Sequence, residues 1–261
     1  MAFNIDKKGG AVAIVKGGQD KDTIIYLDAN YVKGEGEDKL GKKIVYFDKV
    51  NLPKNSVFEQ YPNTSRERDC GMIVGASGSG KSYYVDKYAA NYKKAYKGKR
   101  PVYFFSTITE DSSINSKNIK RVRIDEDMLN NPLSCEDVKE SLCIFDDVEQ
   151  LKDMRIKCEV FRFINEILTA GRHTDTSIFL IVHYGSNKPY LRDMLNECHT
   201  FTYFPRGANR SIKYLLENYI GVDSEEIKKI KKLNTRWATV FKQYPNCVLT
   251  ERNLFMLADN D

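Results

Sequence analysis

The sequence predicts an α/β fold: a mostly parallel central sheet flanked by helices, with a small β-rich segment in front. Three observations carry that expectation. A short apolar run, Cys70–Val74, leads into a glycine-rich loop and then into residues 83–97, which contain no Gly or Pro; this is the pattern of strand, tight loop and helix. Four more apolar runs of strand length follow, separated by helical or polar stretches, an order that favours parallel strands joined by crossovers. Residues 1–65 differ, holding short β-like runs between Gly- and charge-rich turns.

In chain order, the β-like runs of the first segment are 11–15, 23–27 and 43–47, with turns at 17–20 and 33–37. Pro53, Pro62 and the polar residues 63–66 mark the approach to the larger unit. The chain thus divides into an appendage, 1–65, and a main domain, 66–261. Within the latter, 70–74 and 101–106 read as buried strands. A polar loop, 110–117, and a short strand, 120–124, come next, and 125–139 reads as loop and helix. Residues 142–147 form an apolar strand ending in two carboxylates. In 155–170, Ile156, Val160, Phe161, Ile164, Ile167 and Leu168 recur at helical spacing, closed by Gly171. Strands at 177–184 and 200–204 follow, the latter stopped by Pro205. The tail reads as helices at 210–219 and 223–233, then β-like runs at 236–243 and 246–250 joined by a turn at 244–246.

Composition narrows the function classes. Hydrophobic content of 41% and charged content of 30% are those of an ordinary globular protein. The longest apolar run, 178–182, is too short to cross a bilayer, and the N-terminus has no signal-peptide core. An intracellular location is therefore expected. Six cysteines, at 70, 135, 143, 158, 198 and 247, show neither CxxC pairs nor regular spacing, and His173, His183 and His199 are not at ligand spacing. A disulfide framework or zinc centre is not expected. The net charge of +5 is compatible with a polyanionic partner and informs only where it clusters.

The loop Gly75-Ala76-Ser77-Gly78-Ser79-Gly80-Lys81-Ser82 has P-loop spacing. Gly75, Gly78 and Gly80 permit backbone angles that turn consecutive N–H groups inward around an anion, and a helix N-terminus points at the same place. Lys81 is placed to reach β- and γ-phosphates, and the Ser82 hydroxyl to ligate Mg²⁺. Tyr83, Tyr84 and Tyr88 either pack on the sheet or stack on an adenine ring. ATP and Mg²⁺ are the expected cofactors.

Ligands of parallel α/β sheets sit outside the carboxyl ends of the strands. Asp146 and Asp147 end their strand on that edge. Asp146 fits the metal-holding carboxylate of a P-loop site, and Asp147 the group that orients or deprotonates a water; Glu149 is a second candidate base. His183, ending the strand that begins at 177, is either a γ-phosphate sensor or a satisfied histidine. Arg172 either acts in trans as an arginine finger or complements its helix C-terminus. Arg206, Arg210 and Arg236 are weaker candidates for the same finger role or for phosphate contacts. Lys228-Lys229-Ile230-Lys231-Lys232 reads as the solvated face of a helix or as a DNA-facing patch, and Lys93, Lys94, Lys97, Lys99 and Arg100 pose the same choice.

Taken together, Gly75–Ser82, Phe145-Asp146-Asp147, Gly171-Arg172-His173 and the strand ending at His183 resemble the poxvirus-type genome-packaging ATPases of the FtsK–HerA superfamily, found in large DNA viruses and virophages. Phe204-Pro205-Arg206 and Thr235-Arg236-Trp237 add to the likeness, which spans about residues 55–250. The resemblance implies a RecA-like sheet with an extra strand between the P-loop and Asp strands. It also implies a homo-oligomeric ring, a hexamer or pentamer, threading double-stranded DNA into a capsid, with capsid or portal-vertex proteins as partners and a virion-associated stage. By the same token Lys81, Ser82, Asp146 and Asp147 form the hydrolytic set and Arg172 the finger. Asp147 and His183 depart from the Glu and Gln frequent at those places.

The sequence-level reading is an ATP-hydrolysing DNA translocase. A P-loop nucleoside or nucleotide kinase is the first rival, and the Arg-rich lid such enzymes carry is not found. A nucleotide-dependent capsid scaffold that does not hydrolyse is the second.

Overall fold

The computed structural model describes residues 2–30, 35–37, 43–45, 49–108, 114, 119–183, 189–205, 209–242 and 246–257. The first segment holds β1 (Phe3–Asn4), β2 (Gly10–Lys16), β3 (Ile24–Leu27), β4 (Glu35–Glu37), β5 (Lys43–Val45), β6 (Lys49–Asn51) and β7 (Val57–Gln60). Then come β8 (Cys70–Val74), α1 (Lys81–Ala95), β9 (Val102–Ser106), β10 (Ile119–Arg123), α2 (Asp127–Asn130), β11 (Leu142–Asp146), α3 (Met154–Ala170) and β12 (Ser177–Val182). The chain continues through α4 (Pro189–Glu197), β13 (Thr200–Tyr203), α5 (Asn209–Leu215), α6 (Ser224–Lys231), β14 (Ala238–Phe241), β15 (Cys247–Thr250) and β16 (Asn253–Met256).

The large sheet runs β10-β9-β11-β12-β8-β13-β14-β15-β16-β6. Every neighbour from β10 to β13 is parallel, and every one from β13 to β6 antiparallel. β12 lies between the P-loop strand β8 and the Asp strand β11. That is the separated arrangement expected of a RecA-like sheet. In chain order it is 101–106 that intervenes, but in space β9 falls outside β11.

The parallel strands are buried on both faces, which is why they read as continuous apolar runs and not as alternation. In β8, Met72 and Val74 join the core cluster of Phe163, Ile164 and Ile167 from α3, while Ile73 joins that of Val85, Tyr88 and Tyr92 from α1. The small antiparallel sheet, β1-β3-β2-β7, packs onto the α1 side through Val12, Val15 and Phe58. β6 reaches further and pairs with β16 at the edge of the large sheet.

Several boundaries differ from expectation for local reasons. α1 begins at Lys81, two residues before the expected start at 83, because the loop feeds straight into the helix through Gly80 at φ 103°. The helix expected over 210–219 ends as a π turn, Leu216–Ile220, closed by left-handed Gly221. α6 is capped by the Asp223 carboxylate, which accepts the N–H groups of Glu225 and Glu226. α4, β16 and β7 were not expected. Parts of the expected run 43–47 and strand 177–184, most of loop 110–117, turn residues 33–34 and 244–245, and Arg206 lie outside the described residues. Among the described residues no helix is long and apolar enough to cross a membrane.

Candidate nucleotide-binding site

A cleft of about 370 Å³ opens at the carboxyl edge of the parallel strands. Its walls are Ser77, Gly78, Gly80, Lys81, Ser82 and Tyr83 after β8, Ile108 after β9, Asp146 and Asp147 at the end of β11, and His183 after β12. Residues more than 100 positions apart in sequence thus meet at the strand tips.

The loop is shaped by close approach. Gly78 and Gly80 hold φ angles of +73° and +103°, left-handed conformations that favour glycine. A Cβ on Gly75 would lie 2.6 Å from Ser79 Oγ and 2.8 Å from the Phe204 ring. The Ser79 N–H closes a turn onto Ala76 O (3.2 Å), and the Gly75 N–H donates to Val182 O (3.2 Å), tying the loop to β12. Among the described residues the N–H groups of Ser77, Gly78 and Gly80 donate to no backbone acceptor, and the buried Ser79 Oγ has no partner. Free donors around an open turn at a helix N-terminus fit a phosphate group.

Lys81 is 8% exposed, and its Nζ donates to Gly75 O (2.7 Å) and Ala76 O (3.1 Å). Burial pushes its pKa down, a shift opposed by the carboxylates of Asp147, Asp146 and Glu149. The His183 ring stands between the two halves of the site. Its Nδ1 is 3.4 Å from Lys81 Nζ and its Nε2 is 2.7 Å from Asp147 Oδ1. Asp147 itself takes a left-handed φ of 55°, which swings the chain out of β11 into the turn Val148–Gln150. That turn carries Glu149 back inside, where its carboxylate accepts the His183 N–H at 2.9 Å. Glu149 is buried and does not line the cleft. Burial raises its pKa, opposed mainly by that N–H.

Other candidates fall elsewhere. Tyr84 and Tyr88 pack on the sheet: the Tyr84 hydroxyl is 2.8 Å from Thr239 Oγ1, and the Tyr88 ring stacks on Phe179 at 4.3 Å while its hydroxyl donates to Asp69. Tyr83 is half exposed beside the cleft, with Arg236 and Lys87 over its ring. Arg236 is also paired with Glu251. Arg172 lies at the opposite, amino edge of the sheet, lining a cavity with Arg66, Arg68 and His199. The cation that meets the C-terminal carbonyls of α3 is Arg68, which donates to Ile167 O and Leu168 O. On α6, Ile227 and Ile230 are buried while Lys228 and Lys229 pair with Glu225 and Glu226, as on a solvated helix face. Lys94 pairs with Asp22 at 2.7 Å.

One wall residue was not singled out from sequence. Ile108 stands two positions past β9, a place its strand-end position signals. Phe204, quoted from sequence only within the Phe-Pro-Arg likeness, underlies the loop as a packing partner of Gly75, a contact nothing in one dimension indicates.

A parallel sheet with a P-loop, two aspartates one strand away and a polar residue on the strand between them defines a P-loop NTPase. No protein-family model matches the chain. Uncharacterized protein V3 of the Sputnik virophage is 32% identical over 251 residues, covering 95% of this chain and 96% of that protein. The chain belongs to the family of that virophage protein. Among solved structures, the genome packaging NTPase B204 of Sulfolobus turreted icosahedral virus 2, in complex with AMPPCP, matches with a TM-score of 0.48 and 17% identity over 71% of this chain and 98% of that one. The cytoplasmic domain of the Type VII secretion ATPase EccC of Thermomonospora curvata matches at 0.49 and 11%, over 83% and 28%. The pCW3 conjugation coupling protein TcpA matches at 0.44 and 11%, over 96% and 78%. The virophage relative accords with the sequence resemblance.

Proposed function

We propose that this chain is an ATP-driven translocase of double-stranded DNA that packages a viral genome. One observation supports it most: Lys81, Asp146, Asp147 and His183 converge on a single cleft beneath a glycine-shaped loop. In this reading residues 66–261 are the motor and 1–65 an appendage braced against α1.

The loop amides and Lys81 hold the triphosphate of ATP. Ser82 and Asp146 would hold Mg²⁺, which would supply charge neutralisation for the bound nucleotide. Asp147 orients the attacking water and accepts its proton, and the His183 ring fixes that carboxylate against Lys81. Arg172 stands about one strand length, roughly 20 Å, from its own P-loop, so it serves a neighbouring subunit's γ-phosphate in a ring of five or six copies. Capsid or portal-vertex proteins anchor the ring, inside the infected cell or on the virion.

The test is steady-state phosphate release with and without duplex DNA, for wild type and Lys81→Ala. Stimulation by DNA that vanishes in Lys81→Ala supports the motor. Turnover indifferent to DNA, or transfer of phosphate to a small acceptor in place of water, overturns it.

A further inference from the structure

The end of β12 is a junction with three different contacts in two residues. Val182 O accepts the Gly75 N–H from the P-loop. The His183 N–H donates to Glu149 Oε1 at 2.9 Å. The His183 ring then lies between Lys81 and Asp147.

Strand geometry explains why the second contact exists. Successive residues of a strand direct their backbone polar groups to opposite neighbours, and a buried N–H needs an acceptor. Val182 faces β8, its partner there being Val74, so the His183 N–H faces the β11 side. The last β11–β12 pair is Asp146 with Ile181. Beyond it, left-handed Asp147 turns the chain away, and its carbonyl accepts the Gln150 N–H at 2.9 Å. The Glu149 carboxylate takes the His183 N–H. Its own backbone is fixed in turn, because Lys157 Nζ of α3 donates to Glu149 O at 2.7 Å and Val148 is wholly buried.

The arrangement is poor for stability. Glu149 is 7% exposed, and its Oε2 is buried without a partner, whereas buried carboxylates are normally satisfied on both oxygens. A neutral acceptor would cap the same N–H at lower desolvation cost. Oε1 is occupied and the side chain does not line the cleft, so the carboxylate is not presented to a water there.

We infer that Glu149 is a positioning residue: its buried carboxylate takes the His183 N–H just past the last β11–β12 pair and holds the imidazole between Lys81 and Asp147. This assigns it a different task from the second candidate base of the sequence reading. The kinetic part rests on the hydrolytic reading of the cleft; the backbone part does not.

The test uses the full chain carrying Glu149→Gln or Glu149→Ala, with melting curves to verify folding. The glutamine oxygen accepts the same N–H, so Glu149→Gln is expected to keep kcat within about threefold of wild type, while Glu149→Ala loses roughly tenfold or more in kcat with little change in KM for ATP. Independently of turnover, ¹⁵N-histidine labelling gives three backbone amides to follow. The His183 amide should exchange faster in Glu149→Ala, with those of His173 and His199 unmoved. Glu149→Gln as inactive as Glu149→Ala would make Glu149 the base and overturn the assignment. So would Glu149→Ala at the wild-type rate, or a His183 amide unchanged in Glu149→Ala. Should Glu149→Ala fail to fold, Glu149→Gln decides the matter through the same amide and kcat. A wild type that binds ATP without hydrolysing it would sink the motor and leave the amide result to decide the tether.

Discussion

His183 Nε2 lies 2.7 Å from Asp147 Oδ1, while the other ring nitrogen lies 3.4 Å from Lys81 Nζ. One imidazole therefore spans the P-loop lysine and the acid that follows β11. Removing either member of the Asp147–His183 pair should cost much of what removing both costs. We expect Asp147→Asn to lower kcat by about 100-fold or more and His183→Ala by about tenfold, with the double variant well short of the product. Single-turnover kinetics with radiolabelled ATP measure the coupling, and strict multiplicativity would contradict it.

Gly75 is sterically fixed and Gly98 is not. A Cβ at 75 meets Ser79 Oγ at 2.6 Å and the Phe204 ring at 2.8 Å, whereas one at Gly98, at φ +73°, meets nothing within 4 Å. Gly75→Ala should destabilise by about 1–3 kcal/mol through overpacking and weaken ATP binding, because the loop must shift. Gly98→Ala should cost only the backbone strain of about 1 kcal/mol and leave binding alone. Denaturant titration and calorimetric binding check both.

His199 sets an acid limit. Its Nδ1 accepts the Cys70 N–H at 3.1 Å, which requires an unprotonated nitrogen. Burial, then the charges of Arg66, Arg68 and Lys242, bring its pKa down to about 4. The unfolded chain, with an ordinary histidine near 6.5, binds the proton first, so this contribution is full above that pH and lost as pH falls toward 4. It amounts to at most about 3 kcal/mol. Melting temperature measured from pH 7 to 4 should fall more steeply for wild type than for His199→Asn.

Arg172 at the amino edge makes a prediction about mixtures. If it acts in trans, Lys81→Ala and Arg172→Ala subunits are each inactive alone, yet an equal mixture rebuilds about a quarter of the shared sites, those with an intact lysine facing an intact arginine. Phosphate release from the mixture should rise accordingly. A mixture as silent as its parents would remove Arg172 from the site.

The core element that shapes the sheet can be tested through Phe145. It is wholly buried, stacks on Phe105 at 4.6 Å and meets Phe163 edge-on at 5.8 Å, one residue before Asp146. Phe145→Ala should cost about 3–5 kcal/mol by cavity formation. Thermal melting reads the loss.

The linear chain by itself determined the strands, the phosphate loop and the acids at a strand tip, because each is written in residues close together: an apolar run, a glycine spacing, a carboxylate pair. Burial on both faces makes the parallel strands continuous in hydrophobicity, so 70–74, 142–146 and 177–182 were legible as strands. The short strand at 57–60 pairs with 13–16, far back along the chain, and nothing local announces it; 253–256 pairs with its neighbour 247–250 but also with distant 49–51. Tertiary structure alone decided which strand separates β8 from β11, that the Phe204 ring underlies Gly75, that Arg68 meets the end of α3, and that Glu149 faces a backbone N–H. Each of these joins residues far apart along the chain or turns on one left-handed angle, and their meeting depends on how the sheet is assembled.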